Sequence, residues 1–160
     1  MNERAPGEGR YAHLEREQRW LLSAVPAGVI GPTEIYDRYI SGTRLRLRRT
    51  ERDGEVVFKL GQKVRVGESP ERVRLTNIYL SAAEYAVFEH LEASVLRKRR
   101  WHLSHDGREY AIDEFPALQL VVAEVELDSD EPRLPMPPFA DADVTDDDRY
   151  SGGALASSPK

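Results

Sequence analysis

The sequence predicts a mainly β protein of the α+β class, with short antiparallel strands closed into a barrel around a polar interior. Three observations carry that expectation. Charges recur at every second position in several segments: Glu15, Glu17 and Arg19 in HLEREQRWLL, Arg44, Arg46 and Arg48 in RLRLR, and Glu124 and Glu126 in AEVEL. Successive strand side chains point to opposite faces, so each set shares one face. Asp53-Gly54 and Asp106-Gly107 separate strand-like runs, the short-range signature of hairpins. The residues alternating with charges are apolar (Leu45 and Leu47, Phe58 and Leu60, Val125 and Leu127), so the opposite face needs cover.

The elements follow in chain order. A first strand is expected over about 12–21, with Leu14, Gln18 and Trp20 opposite the charges. SAVPAGVIGP reads as loop or short helix, and TEIYDRYI as a strand rich in β-branched and aromatic residues. Ser41-Gly42 turns the chain into TRLRLRRTE, and Asp53-Gly54 turns it into EVVFKL. GQKVRVGESPE has the composition of a mobile connector, in which Lys63 and Arg65 form a basic loop. RVRLTNIYL is a strand. SAAEYAVFEHLE is the one clear helix, with Ser81 and Glu84 at capping-box spacing and Ala83, Val87, Phe88 and Leu91 as its apolar stripe. VLRKRRWHLS, REYAIDEF and ALQLVVAEVEL supply the remaining strands, and a proline-rich, then acidic, tail follows Asp128. Seven or eight strands in this arrangement suit an antiparallel barrel.

The chain has 160 residues, which points to one domain over 1–160 with a core of about 12–156 and flexible ends at 1–11 and 157–160. Its net charge of −5 argues against nucleic-acid binding. The absence of cysteine excludes disulfides and thiolate metal sites, and His13, His90, His102 and His105 lack zinc-site spacing. Any metal is therefore a hard ion held by carboxylates, with Mg²⁺ or Mn²⁺ the expected cofactor. No apolar signal core or membrane-length run is present, which predicts a cytoplasmic protein without membrane contact; the expected assembly is a monomer or homodimer. Trp20 and Trp101 are expected to pack, and His102 and His105 to lie on the surface.

Taken singly, each alternating segment reads as a half-exposed strand with its polar face in water. Taken together, with apolar faces outward, the charges point inward, where like-charged clusters need compensation. Glu15, Glu17, Glu124 and Glu126 offer oxygen ligands for a divalent metal, and Asp113 in YAIDEF joins them by parity. Arg46, Arg48, Lys59, Lys98 and Arg100 offer donors to phosphate oxygens. A triphosphate or polyphosphate bridges the two sets.

The ordered set of E-x-E-x-R, RLRLR, FKL, LRKRRW, YAIDEF, LVVAEVEL and DVTDDDRYSGGALA, over about residues 12–156, resembles the CYTH superfamily, the triphosphate tunnel metalloenzymes. The resemblance implies an eight-stranded antiparallel β-barrel forming a tunnel, with a few helices outside. It further implies metal-dependent hydrolysis of inorganic triphosphate or a related organic triphosphate, or, in some members, cyclisation of ATP. Two departures stand out. Arg19 occupies the position of the family's signature lysine, and arginine stays protonated, so it cannot act as a base. The strand before the helix, ERVRLTNIYL, lacks the second glutamate pair that many members carry and places Arg74, Thr76 and Asn77 there instead.

The leading expectation is a metal-dependent triphosphatase, with Glu15, Glu17 and Arg19 at the catalytic centre. The alternative is a polyphosphate-binding module without turnover, favoured by Arg19 and the lost glutamate pair. A third reading, adenylate cyclase, rests on the resemblance alone, since no residue marks a purine pocket. The absence of a Walker-type glycine loop excludes a P-loop enzyme.

Overall fold

The computed structural model describes residues 3–158. Residues 1–2 and 159–160, within the ends expected to be flexible, lie outside the described residues. Of the rest of that expected N-terminal tail, Gly7 is buried against Val64.

Eight strands close into a barrel. They are β1 (His13–Leu22), β2 (Ile30–Ile40), β3 (Leu45–Arg52), β4 (Glu55–Arg65), β5 (Arg72–Leu80), β6 (Ala93–His105), β7 (Arg108–Phe115) and β8 (Leu120–Glu126). They pair antiparallel in the order β5-β4-β3-β2-β6-β7-β8-β1, and β1 returns to β5. Closure depends on a division of labour along β1. His13–Arg16 pair with β5, and Glu17–Leu22 pair with β8 on the other edge. Beyond Arg16 the edge that faced β5 is taken by the C-terminal segment and its short strand β9 (Ala142–Asp143).

The hairpin signals are realised. Asp53 and Gly54 have φ of 51° and 83°, and Asp106 and Gly107 have 48° and 75°, the doubly positive pairs of tight hairpin turns. The expected connector after Leu60 is corrected, because β4 runs on to Arg65 and pairs with β5 from Phe58↔Leu80 to Arg65↔Val73. Gly61 is a strand residue for a packing reason. A Cβ there would stand 2.8 Å from Asn77 Oδ1 and 3.4 Å from Arg46 Nη2, so a polar crossing occupies the space.

Two covers shield the outward apolar faces. Helix α1 (Ala82–Glu89) carries the expected capping box: Ser81 Oγ accepts from Glu84 N at 3.1 Å, and Ser81 N donates to Glu84 Oε1 at 2.9 Å. Its buried contact differs from the expected stripe. Tyr85 and Phe88, three residues apart, pack on Ile40, Leu47 and Phe58, whereas Ala83, Val87 and Leu91 are exposed. The helix ends at Glu89, before the stripe reaches Leu91.

The proline-rich segment after Asp128 supplies the second cover. Leu134, Phe139 and Ala140 lie over Trp20, Leu103, Tyr110, Ile112, Val125 and Leu127. Gln18, fully buried, clips this segment down: its Nε2 donates to Leu134 O at 3.2 Å and its Oε1 accepts from Leu134 N at 2.6 Å. Both polar ends of a buried amide are thereby satisfied. Trp101 packs against the same cluster as expected, while His105 is part-buried beside Tyr110 and Phe139.

Inside the barrel, one end is apolar. Leu96, Phe115 and Val122 pack with Leu155 and Ala156 of helix α2 (Gly152–Ala156), flanked by Leu21 and Tyr39. The charged side chains lie in the interior beyond this end, together with Leu75 and Asn77. Among the described residues no helix is long and apolar enough to cross a membrane.

Candidate functional site

A cavity of about 200 Å³ occupies the charged part of the interior, lined by side chains from β1 to β6 and from β8. Of the expected site residues, Glu15, Glu17, Arg19, Arg46, Arg48, Lys59, Lys98, Arg100 and Glu124 all line it. Tyr39, Asn77 and Gly152 line it too, as does Lys63, which is a strand residue of β4 and not part of a basic loop. Seven cationic side chains thus meet three carboxylates in a protein whose net charge is −5. The chamber's charge runs opposite to that of the whole chain.

The cationic wall is held from behind by two aspartates. Asp37 on β2 is fully buried opposite Arg48 in register, and Arg48 grips it in a fork: Nε to Oδ1 at 2.6 Å and Nη2 to Oδ2 at 2.7 Å. Asp113 on β7 is fully buried opposite Arg100 and is gripped in the same manner, both bonds at 2.7 Å. Lys98 Nζ adds a third bond to Asp113 Oδ2 at 2.6 Å. Such forks fix the guanidinium planes and leave outer N–H groups directed elsewhere. Arg46 lacks a comparable anchor, lying 4.0 Å from Asp37, and its buried Nε has no hydrogen-bond partner among the described residues. A buried charged donor without a partner is costly.

Asp113 therefore differs from the expected metal ligand. Parity places it inward as predicted, but its two oxygens are taken by Arg100 and Lys98. Burial alone would raise its carboxyl, yet those two cations hold it far below the usual carboxylate range. Asp37 is also lowered, with burial outweighed by hydrogen bonds and charge from Arg48. Lys98 is pulled down to about 8, first by burial and then by Arg100 and Arg48, because one carboxylate serves both Lys98 and Arg100.

The acidic wall is organised differently. Arg19 lies between Glu124 and Glu17, with Nε donating to Glu124 Oε1 at 3.1 Å and Nη2 to Glu17 Oε2 at 3.3 Å. Its backbone is pinned by the C-terminal segment: Arg19 N donates to Thr145 Oγ1 at 3.1 Å, and Val144 N donates to Arg19 O at 3.0 Å. Arg100 Nη2 reaches the second oxygen of Glu124 at 3.5 Å. Burial raises the Glu124 carboxyl, but Arg19 and its cationic neighbours bring it below the ordinary value. Glu17 moves the other way, raised by burial and then by the charge of Glu124.

Glu126 does not join the chamber. It shares the inward face with Glu124, but it sits at the last position of β8, is exposed, and does not line the cavity. Parity gives the face and says nothing of depth along the strand. Glu15 lines the cavity apart from the Glu17–Arg19–Glu124 cluster, 3.5 Å from His13 Nε2 and 3.9 Å from Lys63 Nζ.

The five acidic residues expected to hold metal are thus dispersed. Among the described residues no three Asp, Glu, His or Cys side chains are grouped closely enough to hold a metal ion. The oxygen donors suit Mg²⁺ or Mn²⁺ in type, but the two closest carboxylates already share a guanidinium, so the arrangement does not fit a divalent ion as it stands.

No protein-family model and no curated protein matches the chain by sequence. Solved structures do. The inorganic triphosphatase NE1496 is 23% identical, with 91% of this chain and 95% of that chain covered and a TM-score of 0.61. The PH1819 protein of Pyrococcus horikoshii is 19% identical over 73% of this chain and 79% of its own, with a TM-score of 0.55. A candidate adenylate cyclase from Bacillus halodurans is 15% identical over 75% and 83%, with a TM-score of 0.50. These neighbours share the eight-stranded barrel, the fold that the resemblance to the CYTH superfamily implied.

Proposed function

We propose that the barrel binds a short linear polyphosphate, with inorganic triphosphate the reference ligand, and hydrolyses its terminal anhydride. The observation that carries this reading is the chamber itself: seven cations converge on one cavity, two of their arginines are fixed by buried aspartates, and Arg46 Nε is left without a partner. A monovalent ligand would leave most of these cations uncompensated, whereas a chain of phosphates meets several at once. The fold shared with an inorganic triphosphatase supports the same ligand class.

In the proposed reaction Arg46, Arg48, Lys59, Lys98 and Arg100 hold the phosphate oxygens and stabilise charge on the leaving diphosphate. A water oxygen bonds to the terminal phosphorus as the bridging P–O bond breaks, giving orthophosphate and diphosphate. Glu17, whose carboxyl is raised by burial and by Glu124, is the group suited to take the water's proton. Positioning and electrostatic stabilisation supply most of the barrier reduction in such transfers.

A second reading, binding without turnover, is favoured by a specific contact: Arg19 occupies both Glu17 and Glu124. Phosphate release from triphosphate, longer polyphosphates, thiamine triphosphate and nucleotides, with and without Mg²⁺ or Mn²⁺, separates the two. Turnover of triphosphate supports hydrolysis. Saturable binding with no release under any condition removes it and leaves the binding reading.

A further inference from the structure

We infer that Arg19 is a built-in cation occupying the bridging place a divalent ion would need, so that the chamber binds its anion without metal. This rests on the polyphosphate reading above and adds to it a statement about what the acidic wall does.

Four observations converge. The Arg19 guanidinium spans Glu124 and Glu17 at 3.1 and 3.3 Å. Glu124 is engaged through both oxygens, the second by Arg100 at 3.5 Å. Glu15, the third carboxylate of the chamber, is 3.9 Å from Lys63, leaving no cluster of three acids among the described residues. Arg19 is itself buried, and its backbone is held on β1 by Thr145 and Val144, so the contact is anchored at both ends.

The physical consequence follows from comparing the two cations. A divalent ion entering here has to shed part of a tightly held hydration shell and displace a guanidinium from two carboxylates. The guanidinium is already in place, carries a permanent charge and is weakly hydrated. Of its five N–H donors two are used on the carboxylates, and the others remain for phosphate oxygens. Arg19 thereby neutralises the acidic wall and presents donors to the same cavity that Arg46 and Arg48 line. A lysine at this position, with one compact ammonium, lacks the planar fork that spans both carboxylates.

Isothermal titration of inorganic triphosphate into the full-length protein tests this, once in EDTA and once in saturating Mg²⁺. Binding in EDTA within about threefold of the affinity in Mg²⁺ is the expected result. Binding only with Mg²⁺ overturns the inference and leaves the polyphosphate reading standing. No binding in either condition overturns both.

Titration of Mn²⁺ alone, followed by electron paramagnetic resonance, provides a readout independent of the anion. The native protein should leave Mn²⁺ free at concentrations where Arg19→Gln, with Glu17 and Glu124 released, binds it. Arg19→Gln should also weaken triphosphate binding in EDTA by at least about tenfold. Should Arg19→Gln lose its fold, judged by circular dichroism, Glu17→Gln supplies the check: it removes an acidic charge while keeping the Arg19 contact to Glu124, so metal-free triphosphate binding strengthens. Tight Mn²⁺ binding by the native protein, or weaker triphosphate binding in Glu17→Gln, contradicts the inference.

Discussion

The two charged walls of the barrel solve the same problem in opposite ways. On the wall from β2 to β7 the cations face the cavity, and their counter-charges, Asp37 and Asp113, sit behind them with no exposure. On the wall formed by β1 and β8 the carboxylates face the cavity, and their counter-charge, Arg19, sits among them. The first arrangement spends the buried acid on fixing geometry and leaves positive groups directed inward. The second cancels the acid where a ligand would meet it. Like charges inside a protein need compensation, but the place of the compensating group decides what the wall can bind.

The largest expected effect comes from removing the rear support of the cationic wall. Asp113→Ala leaves buried Lys98 and part-buried Arg100 without their shared carboxylate, and stability to urea should fall by about 3–5 kcal/mol. The equivalent loss on the acidic wall, Glu17→Ala, should cost distinctly less, because Arg19 keeps its contact with Glu124. Equal losses from the two substitutions would erase the distinction between a supported wall and a self-cancelling one.

A smaller effect concerns pH and sharpens the account of the cationic wall. Lys98 loses its proton around pH 8 instead of near its ordinary value of 10.5. The sign follows: the ammonium is present below pH 8 and is lost as pH rises, so anion affinity should decline on the alkaline side. If only the protonated form binds, raising pH from 7 to 9 weakens triphosphate binding by about tenfold, or about 1.4 kcal/mol. Read as the difference between native protein and Lys98→Gln, the ligand's own titration cancels. A difference that stays flat over this range would show that Lys98 does not contact the anion.

The smallest effect marks where the acidic wall ends. Glu126 is exposed and does not line the cavity, so Glu126→Gln should change triphosphate affinity by less than about twofold, the scale of a screened surface charge. Glu124→Gln should strengthen it clearly more, since Glu124 faces the cavity beside Arg19 and Arg100. A large change at Glu126 would extend the site to the end of β8.

Much of this contrast was legible in the sequence, and the gaps have physical causes. Alternation placed Glu15, Glu17, Arg46, Arg48, Lys98, Arg100 and Glu124 on one inward face because the strand period is two. Alternation gives no depth along the strand, so it groups Glu126 with Glu124. It also places Asp113 inward but does not show that Arg100 and Lys98 take both of its oxygens. The hairpin around Asp106-Gly107 pairs His105 with Arg108, and counting outward brings Arg100 opposite Asp113. The same counting through the hairpin between β2 and β3 brings Asp37 opposite Arg48. Register, read together with parity, held the information that parity alone lacked. The extension of β4 was hidden for another reason. Gly61 and the polar residues after it have the composition of a loop, and only the close approach of Asn77 and Arg46 explains a glycine inside that strand. Glu17 is two residues from Arg19 on the same strand, a contact that alternation allows, but the contact of Arg19 with Glu124 depends on the pairing of β1 with β8, which no local pattern shows.

The most direct test of the central claim is a crystal structure of the protein grown with inorganic triphosphate in EDTA. The account predicts phosphate density inside the barrel, within hydrogen-bond distance of the outer donors of Arg46, Arg48, Lys98 and Arg100, with Arg19 still joined to Glu17 and Glu124. An empty chamber at saturating ligand, or phosphate bound only on the outer surface, would contradict it.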